Sequence, residues 1–214
     1  MENIFRSAQN FNQDISAWNV SRVVIFSGMF VNAWEFNQAI GTWDISSATS
    51  LESMLEGASK FNQNLNSWNT AKVTNMNYMF GASSYNQPMD YWDTSSVVSM
   101  RSMFYSTPFN QSLETWIVSR VTNMAHMFAN TSDFNQSLVV WNVSSVADMT
   151  SMFWNTGSFN QDISNWVRMF DIWSVDGSPV LFDMILNHWL HSFCRMYPAS
   201  FRLPPCLRIR EFST

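Results

Sequence analysis

The sequence predicts an α/β repeat fold, a solenoid of about seven coils of 24–25 residues, each contributing a short strand and a short helix or turn. Three observations predict it. The triplet Phe-Asn-Gln recurs at Phe11, Phe36, Phe61, Phe109, Phe134 and Phe159, with Tyr-Asn-Gln at Tyr85, in steps of 25, 25, 24, 24, 25 and 25 residues. Tryptophan stands seven places after every one of these aromatics, from Trp18 to Trp166. Ten of the fifteen methionines fall into two further columns. A unit this short cannot enclose a core of its own and must bury its apolar side against a neighbour.

Counting each leading aromatic as place zero, place 4 is aliphatic or Met (Ile15, Ile40, Leu65, Met89, Leu113, Leu138, Ile163) and place 12 is Val or Ala (Val23, Ala48, Val73, Val97, Val121, Val146). From place 4 the apolar spacing runs i, i+3, i+5, as in Leu65, Trp68 and Thr70, which suits a short strand entered from a turn. From place 12 it runs i, i+3, i+6, i+7, as in Val121, Met124, Met127 and Phe128. That spacing matches one face of a two-turn helix. Ser21, Ser46, Ser95, Ser119 and Ser144, with Ala71 in their column, precede this face where a serine caps a helix start. Both 24-residue units lose their residue after the helix-end Phe, before Tyr85 and Phe109, which marks a surface loop. Met1, Ile4 and Phe5 fall in the Met, Met and Phe columns of a truncated first copy.

Seven Asn-Gln pairs raise the question of a sugar or ion site. Stacked coils bring equivalent residues about 4.8 Å apart, where an amide satisfies the backbone of the next coil. An inward Asn ladder is therefore the expected role. The Trp and Met columns read as core, since they keep register through every length change and Met fills irregular gaps.

The unit Phe-Asn-Gln-x-(Ile/Leu)-x-x-Trp-(Asn/Asp)-x-Ser-x-Val-x-x-Met-x-x-Met-Phe-x-x-Ala resembles the repeat of the BspA-like leucine-rich-repeat surface proteins, a 26-residue bacterial surface repeat and mycoplasma-type domain of unknown function. The match is carried best by Phe61-Asn62-Gln63 with Trp68, Val73, Met76, Met79 and Phe80, and by Phe134-Asn135-Gln136 with Trp141, Val146, Met149, Met152 and Phe153. It covers about residues 1–166. The resemblance implies a leucine-rich-repeat-like solenoid with short parallel strands on one face and helices or turns on the other. It also implies a surface or extracellular location and a binding role with no catalytic residues. The first unit departs from the pattern at Phe26 and Gly28, and the second at Ala48, Leu51 and Leu55.

Charged residues make up 13% of the chain and apolar ones 46%, which excludes a disordered polymer. Residues 1–166 hold twelve acids and six bases, a net −6, and the remainder four acids and five bases, a net +1; together they give the −5 of the whole chain. Without a basic stripe the repeats do not suit a nucleic-acid backbone. No run of 18 apolar residues codes a membrane span, and no secretory signal opens the chain. A start in mid-unit reads as a fragment or incomplete gene model.

Residues 167–214 break the rhythm. They carry both cysteines and four of the six prolines. Val180 to Tyr197 patterns as an amphipathic helix over about 180–197 that would cap the stack, followed by a mobile end. His188, His191 and Cys194, with Asp183 nearby, have the spacing of metal ligands on one helix face. No second ligand pair completes them, so no metal and no cofactor is expected. Cys194 and Cys206 offer one disulfide whose geometry the sequence does not fix. His126 lies on a repeat helix in this reading, facing solvent.

Function is expected at the outward places 5, 6 and 8. Place 8 is mostly Asn or Asp, which suggests a turn duty. Places 5 and 6 vary freely, and Asp90, Tyr91, Glu114 and Thr115 there combine acidic groups with one aromatic anchor, the candidate contact centre. The expected function is a non-catalytic module binding a protein or cell-surface ligand. The alternatives are a non-functional fragment and, ranked below it, a metal-dependent activity in the tail. No nucleophile–base arrangement, carboxylate pair or phosphate loop points to an enzyme.

Overall fold

The structure, a computed structural model, describes residues 1–167. The expected α/β solenoid does not form. Among the described residues the one helix is a single turn, α1, at Ser164–Val167. In place of strands there are five isolated parallel bridges linking Ile25, Ser50, Asn75, Ser99, Asn123 and Asp148 in succession. What stacks is a succession of tight turns.

The turns explain the spacing that suggested strand and helix. In a typical unit Trp68 N–H donates to the Leu65 carbonyl, Val73 to Thr70, Met79 to Met76, and Phe61 to Ala58, each closing a three-residue step. Core residues occupy the first and last positions of these four turns, and the two between are exposed or half-exposed. An i, i+3 pattern thus arises from turn closure as readily as from a helix face. Place 9 belongs to the same core: Val20, Ile45, Val118 and Val143 are buried there, and so are Thr70 and Thr94. Those two hydroxyls donate to the Asp93 carbonyl at 2.9 Å and the Ile117 carbonyl at 3.0 Å.

Backbone chirality rules out a helix between places 15 and 22. Fourteen described residues have positive φ, and all lie at places 17 and 21, from Asn3 and Ser7 to Ser151 and Asn155. Each is the third residue of a turn, as a type II turn requires. Asn, Ser and Gly fill eleven of these positions; Tyr78, Ala82 and His126 are the others. Alternate N–H groups then point along the stack instead of four residues back. Met76, Tyr78, Phe80 and Ala82 donate to the carbonyls of Ser99, Arg101, Met103 and Tyr105 in the next unit, at 2.7–3.1 Å. Gly28, a misfit for a helix, has φ +65° and suits its column. An L-residue in this region costs about 1–2 kcal/mol. Ala82, exposed on its turn, gives a clean test: Ala82→Gly is expected to raise the unfolding free energy by about 1 kcal/mol, read from urea denaturation.

The columns bury as expected. Trp43, Trp68, Trp92, Trp116, Trp141 and Trp166 are at most 4% exposed, and each of the first five donates its indole N–H to the place-4 carbonyl of the preceding unit at 3.0–3.3 Å. Within a layer, the place-19 ring lies on the next leading ring, as in Phe80 on Tyr85 and Phe128 on Phe134, both at 3.9 Å. Between layers, Phe80, Phe104 and Phe128 follow one another at 5.7–5.8 Å. Tyr85 keeps this ring position but leaves its buried hydroxyl without a partner, and burial pushes that phenol well above its ordinary range.

The shortened units lose the last turn of the cycle. Where Phe61 N–H reaches the Ala58 carbonyl, Tyr85 and Phe109 donate instead to the hydroxyls of Ser83 and Thr107, two residues back. A side-chain oxygen replaces the missing turn, and the leading aromatic keeps its place in the core. The Asn ladder forms, though on the half-exposed flank rather than inside. Asn12, Asn37, Asn62, Asn86, Asn110 and Asn135 each accept the backbone N–H of the next Asn through Oδ1, at 2.9–3.0 Å.

The expected helix over 180–197, the His188, His191, Cys194 and Asp183 cluster and the Cys194–Cys206 pair lie outside the described residues.

Candidate functional site

Each unit turns outward at places 5 and 6, between the buried place-4 aliphatic and the buried Trp. Asp90 and Tyr91 occupy this corner in the fourth unit, Glu114 and Thr115 in the fifth, and Val139 and Val140 in the sixth. The corners follow one another along the stack, beside Trp92 and Trp116, whose rings are parallel at 6.5 Å. All four sequence-selected residues are exposed, Tyr91 at 82%. Tyr91 is fixed only through its backbone, whose N–H donates to Asn66 Oδ1 at 3.0 Å. Its phenol ring serves no contact in the core.

The structure adds three side chains that the sequence did not single out. Ile117, Val139 and Val140 are exposed and continue the corner as an apolar strip. Their signal was present: Val139 and Val140 are apolar at the outward places of a turn, and Ile117 stands where five of the six other units have Asn or Asp. With Asp90, Asp93 and Glu114 the strip carries three acids and, at places 5, 6 and 8 of these units, no base.

Place 8 does the turn work expected of it. Oδ1 of Asn19, Asp44, Asn69, Asp93 and Asn142 accepts the N–H two residues on, at 2.9–3.2 Å. The serines expected to cap a helix are therefore mostly recipients of a cap: Ser21, Ser46, Ser95 and Ser144 donate their N–H to the preceding Asx side chain. Asp14 and Asp162 form the same turn at place 3.

These turns shift carboxyl titration. At Asp14 and Asp162 the N–H groups of Ser16 and Ser164, then the hydroxyls, hold the acid below its ordinary value. At Asp44 and Asp93 the hydroxyls of Ser46 and Ser95 lead and the N–H groups follow. A depressed folded value means that the stabilisation is fully present above the ordinary Asp value, about 4, and is lost as pH falls through the folded one. The urea midpoint is thus expected to drop between pH 5 and pH 3. Replacing all four with Asn, which keeps the acceptor without titrating, is expected to flatten that drop; an unchanged slope would place the acid sensitivity elsewhere.

His126 sits on a left-handed turn, not a helix, and is half-buried. Burial raises the neighbouring Asp148 carboxyl, but the Thr150 N–H and hydroxyl, then Arg101 and last His126, hold it below its ordinary value. Among the described residues no three His, Cys, Asp or Glu side chains gather where they could hold a metal. No described helix is long and apolar enough to cross a membrane.

Residues 1–92 and 81–172 each match the family described as "Mycoplasma protein of unknown function, DUF285". The chain belongs to this family. The two matches overlap at residues 81–92, across the junction of the third and fourth units, so the DUF285 pattern spans the repeats as one series. No curated protein and no solved structure matches the chain.

Proposed function

We propose that these DUF285 repeats form a non-catalytic module of the BspA-like surface kind, binding a protein or another surface ligand outside the cell. The observation that carries this reading is the corner of the fourth to sixth units. Tyr91, Ile117, Val139 and Val140 are exposed on consecutive layers at places the core leaves free. A contiguous exposed apolar strip marks a contact surface, and a tyrosine with satisfied backbone and free ring is the side chain that anchors one. The acids beside it favour a partner with basic groups around an apolar centre.

The test compares the parent chain with a Tyr91→Ala/Val140→Ser variant on an array of extracellular-matrix proteins and glycans. The variant is expected to keep its melting temperature and lose about tenfold or more of any array signal. Equal signals from both proteins, or a variant that unfolds, would overturn the assignment of this corner.

A further inference from the structure

Places 16 to 21 give the stack a second outward surface, apart from the corner at places 5, 6 and 8. At place 17 the left-handed turn is filled by Asn3, Gly28, Ser53, Ser102 and Ser151, all suited to it. Tyr78 takes that place in the third unit with φ 55°, and His126 in the fifth with φ 58°. An aromatic side chain in left-handed backbone carries strain that Asn or Gly avoids. An outlier kept where a smaller residue would serve the turn points to a use for its side chain.

Tyr78 does not stand alone. Arg101, at place 16 of the next unit, donates from Nε to Tyr78 Oη at 3.1 Å. That bond, and after it one with the Ser102 hydroxyl, holds the phenol below its ordinary value. It also fixes the guanidinium, whose Nη groups have no hydrogen bond or ion pair among the described residues. Glu56 lies close by: its Cγ is 3.8 Å from where a Cβ on Gly81 would stand, and its charge acts on the Tyr78 phenol. Tyr105 is 36% exposed and leans along the stack as Tyr78 does, its Oη accepting from Asn130 Nδ2 of the following unit at 3.3 Å. These side chains belong to the second to fifth units, with described layers on both sides.

The surface thus sets a carboxylate acceptor, a guanidinium fork with donors to spare and two phenol rings side by side. Hydroxyl groups both donate and accept, so vicinal hydroxyls of a sugar ring answer Arg101 and Glu56 together. The C–H face of the same ring covers an aromatic one. A pyranose ring is about as long as one layer step, roughly 4.8 Å, so the stretch from Glu56 to Tyr105 suits two linked rings. An acidic sugar is disfavoured, because residues 1–166 carry twelve acids against six bases and Asp148 acts on Arg101.

We infer that the face around Tyr78, Arg101 and Tyr105 binds a neutral oligosaccharide, at a site separate from the corner at Tyr91. Arg101 Nη and the Glu56 carboxylate hold the vicinal hydroxyls of one ring. Tyr78 positions the guanidinium, and Tyr105 stacks on the adjoining ring.

A disaccharide on an open face binds weakly and washes off an array, so the test is read in solution. The full chain is mixed with neutral disaccharides of glucose, galactose, mannose and N-acetylglucosamine, and with glucose 6-sulfate and sialyllactose. Saturation-transfer NMR and titration calorimetry follow binding. At least one neutral disaccharide is expected to bind saturably, about fivefold or more tighter than either charged sugar. Tyr78→Asn gives the turn a residue suited to positive φ; it is expected to keep or raise the urea midpoint while weakening that sugar about tenfold or more. Arg101→Gln and Tyr105→Ser are expected to weaken it severalfold with the midpoint unchanged. The Tyr91→Ala/Val140→Ser variant is expected to bind the sugar like its parent, so this face and the corner stand or fall separately. Absence of binding by every neutral disaccharide, equal or tighter binding of the charged sugars, or parental affinity in both Tyr78→Asn and Arg101→Gln would overturn the inference.

Discussion

Trp68→Ala is expected to lower the unfolding free energy by about 3–5 kcal/mol, the range for emptying a buried aromatic site. Trp68 is 2% exposed and lies against Trp92 with ring centres 6.2 Å apart. Its indole N–H also satisfies the Ile40 carbonyl of the preceding unit at 3.0 Å. Removal opens a void between two layers and strands a buried acceptor. Trp68→Phe separates the two effects, because it keeps an aromatic ring and removes the donor; about 1–3 kcal/mol is expected for the orphaned carbonyl. Urea denaturation followed by tryptophan fluorescence and by circular dichroism reads both. A Trp68→Ala protein as stable as its parent would show that the indole column does not hold the layers together.

The second large effect is steric. Gly41 has ordinary backbone geometry, and its lack of a side chain answers to a close approach: a Cβ there would lie 2.3 Å from the backbone carbonyl oxygen of Asn64. A backbone oxygen cannot rotate aside, and the neighbouring layers are also tied where Ser67 Oγ donates to the Gly41 carbonyl at 2.7 Å. Gly41→Ala is expected to destabilise by about 1–3 kcal/mol, as overpacking does. Gly157→Ala is the control, since nothing lies within 4 Å of its added methyl; no loss, or a gain of up to about 1 kcal/mol, is expected there. Equal denaturation midpoints for the two variants would remove the steric account.

The core was legible in the sequence because burial leaves a periodic trace whatever the backbone does. The leading aromatics from Phe36 onward, the Trp column from Trp43 onward and the Met columns are buried where the repeat placed them. The secondary structure was not legible, since spacing of three and four residues is shared by a helix face and by tight turns closed three residues apart. The signal that separates them was the residue type at places 17 and 21. Asn, Ser and Gly recur there, the residues that tolerate positive φ, while Tyr78, Ala82 and His126 hide the rule. The serines before place 12 misled for a related reason: a serine two residues after Asn or Asp donates its N–H to an Asx turn, and the same residue before an apolar run resembles a helix cap. At the corner, the variability of places 5 and 6 pointed to Asp90, Tyr91, Glu114 and Thr115. The apolar continuation through Ile117, Val139 and Val140 emerged only when the stacking of corners showed them on consecutive layers.

Side-chain bonds between units join residues 22 to 28 positions apart, so each layer is tied to the one before it and the one after it. A mechanical load drawn between the two ends therefore falls on the outermost layer first and leaves the remainder in register. Every detached layer lengthens the tether by roughly 80–90 Å, the extended span of about 25 residues. Such a chain yields under tension in equal steps, as a ratchet of identical catches does.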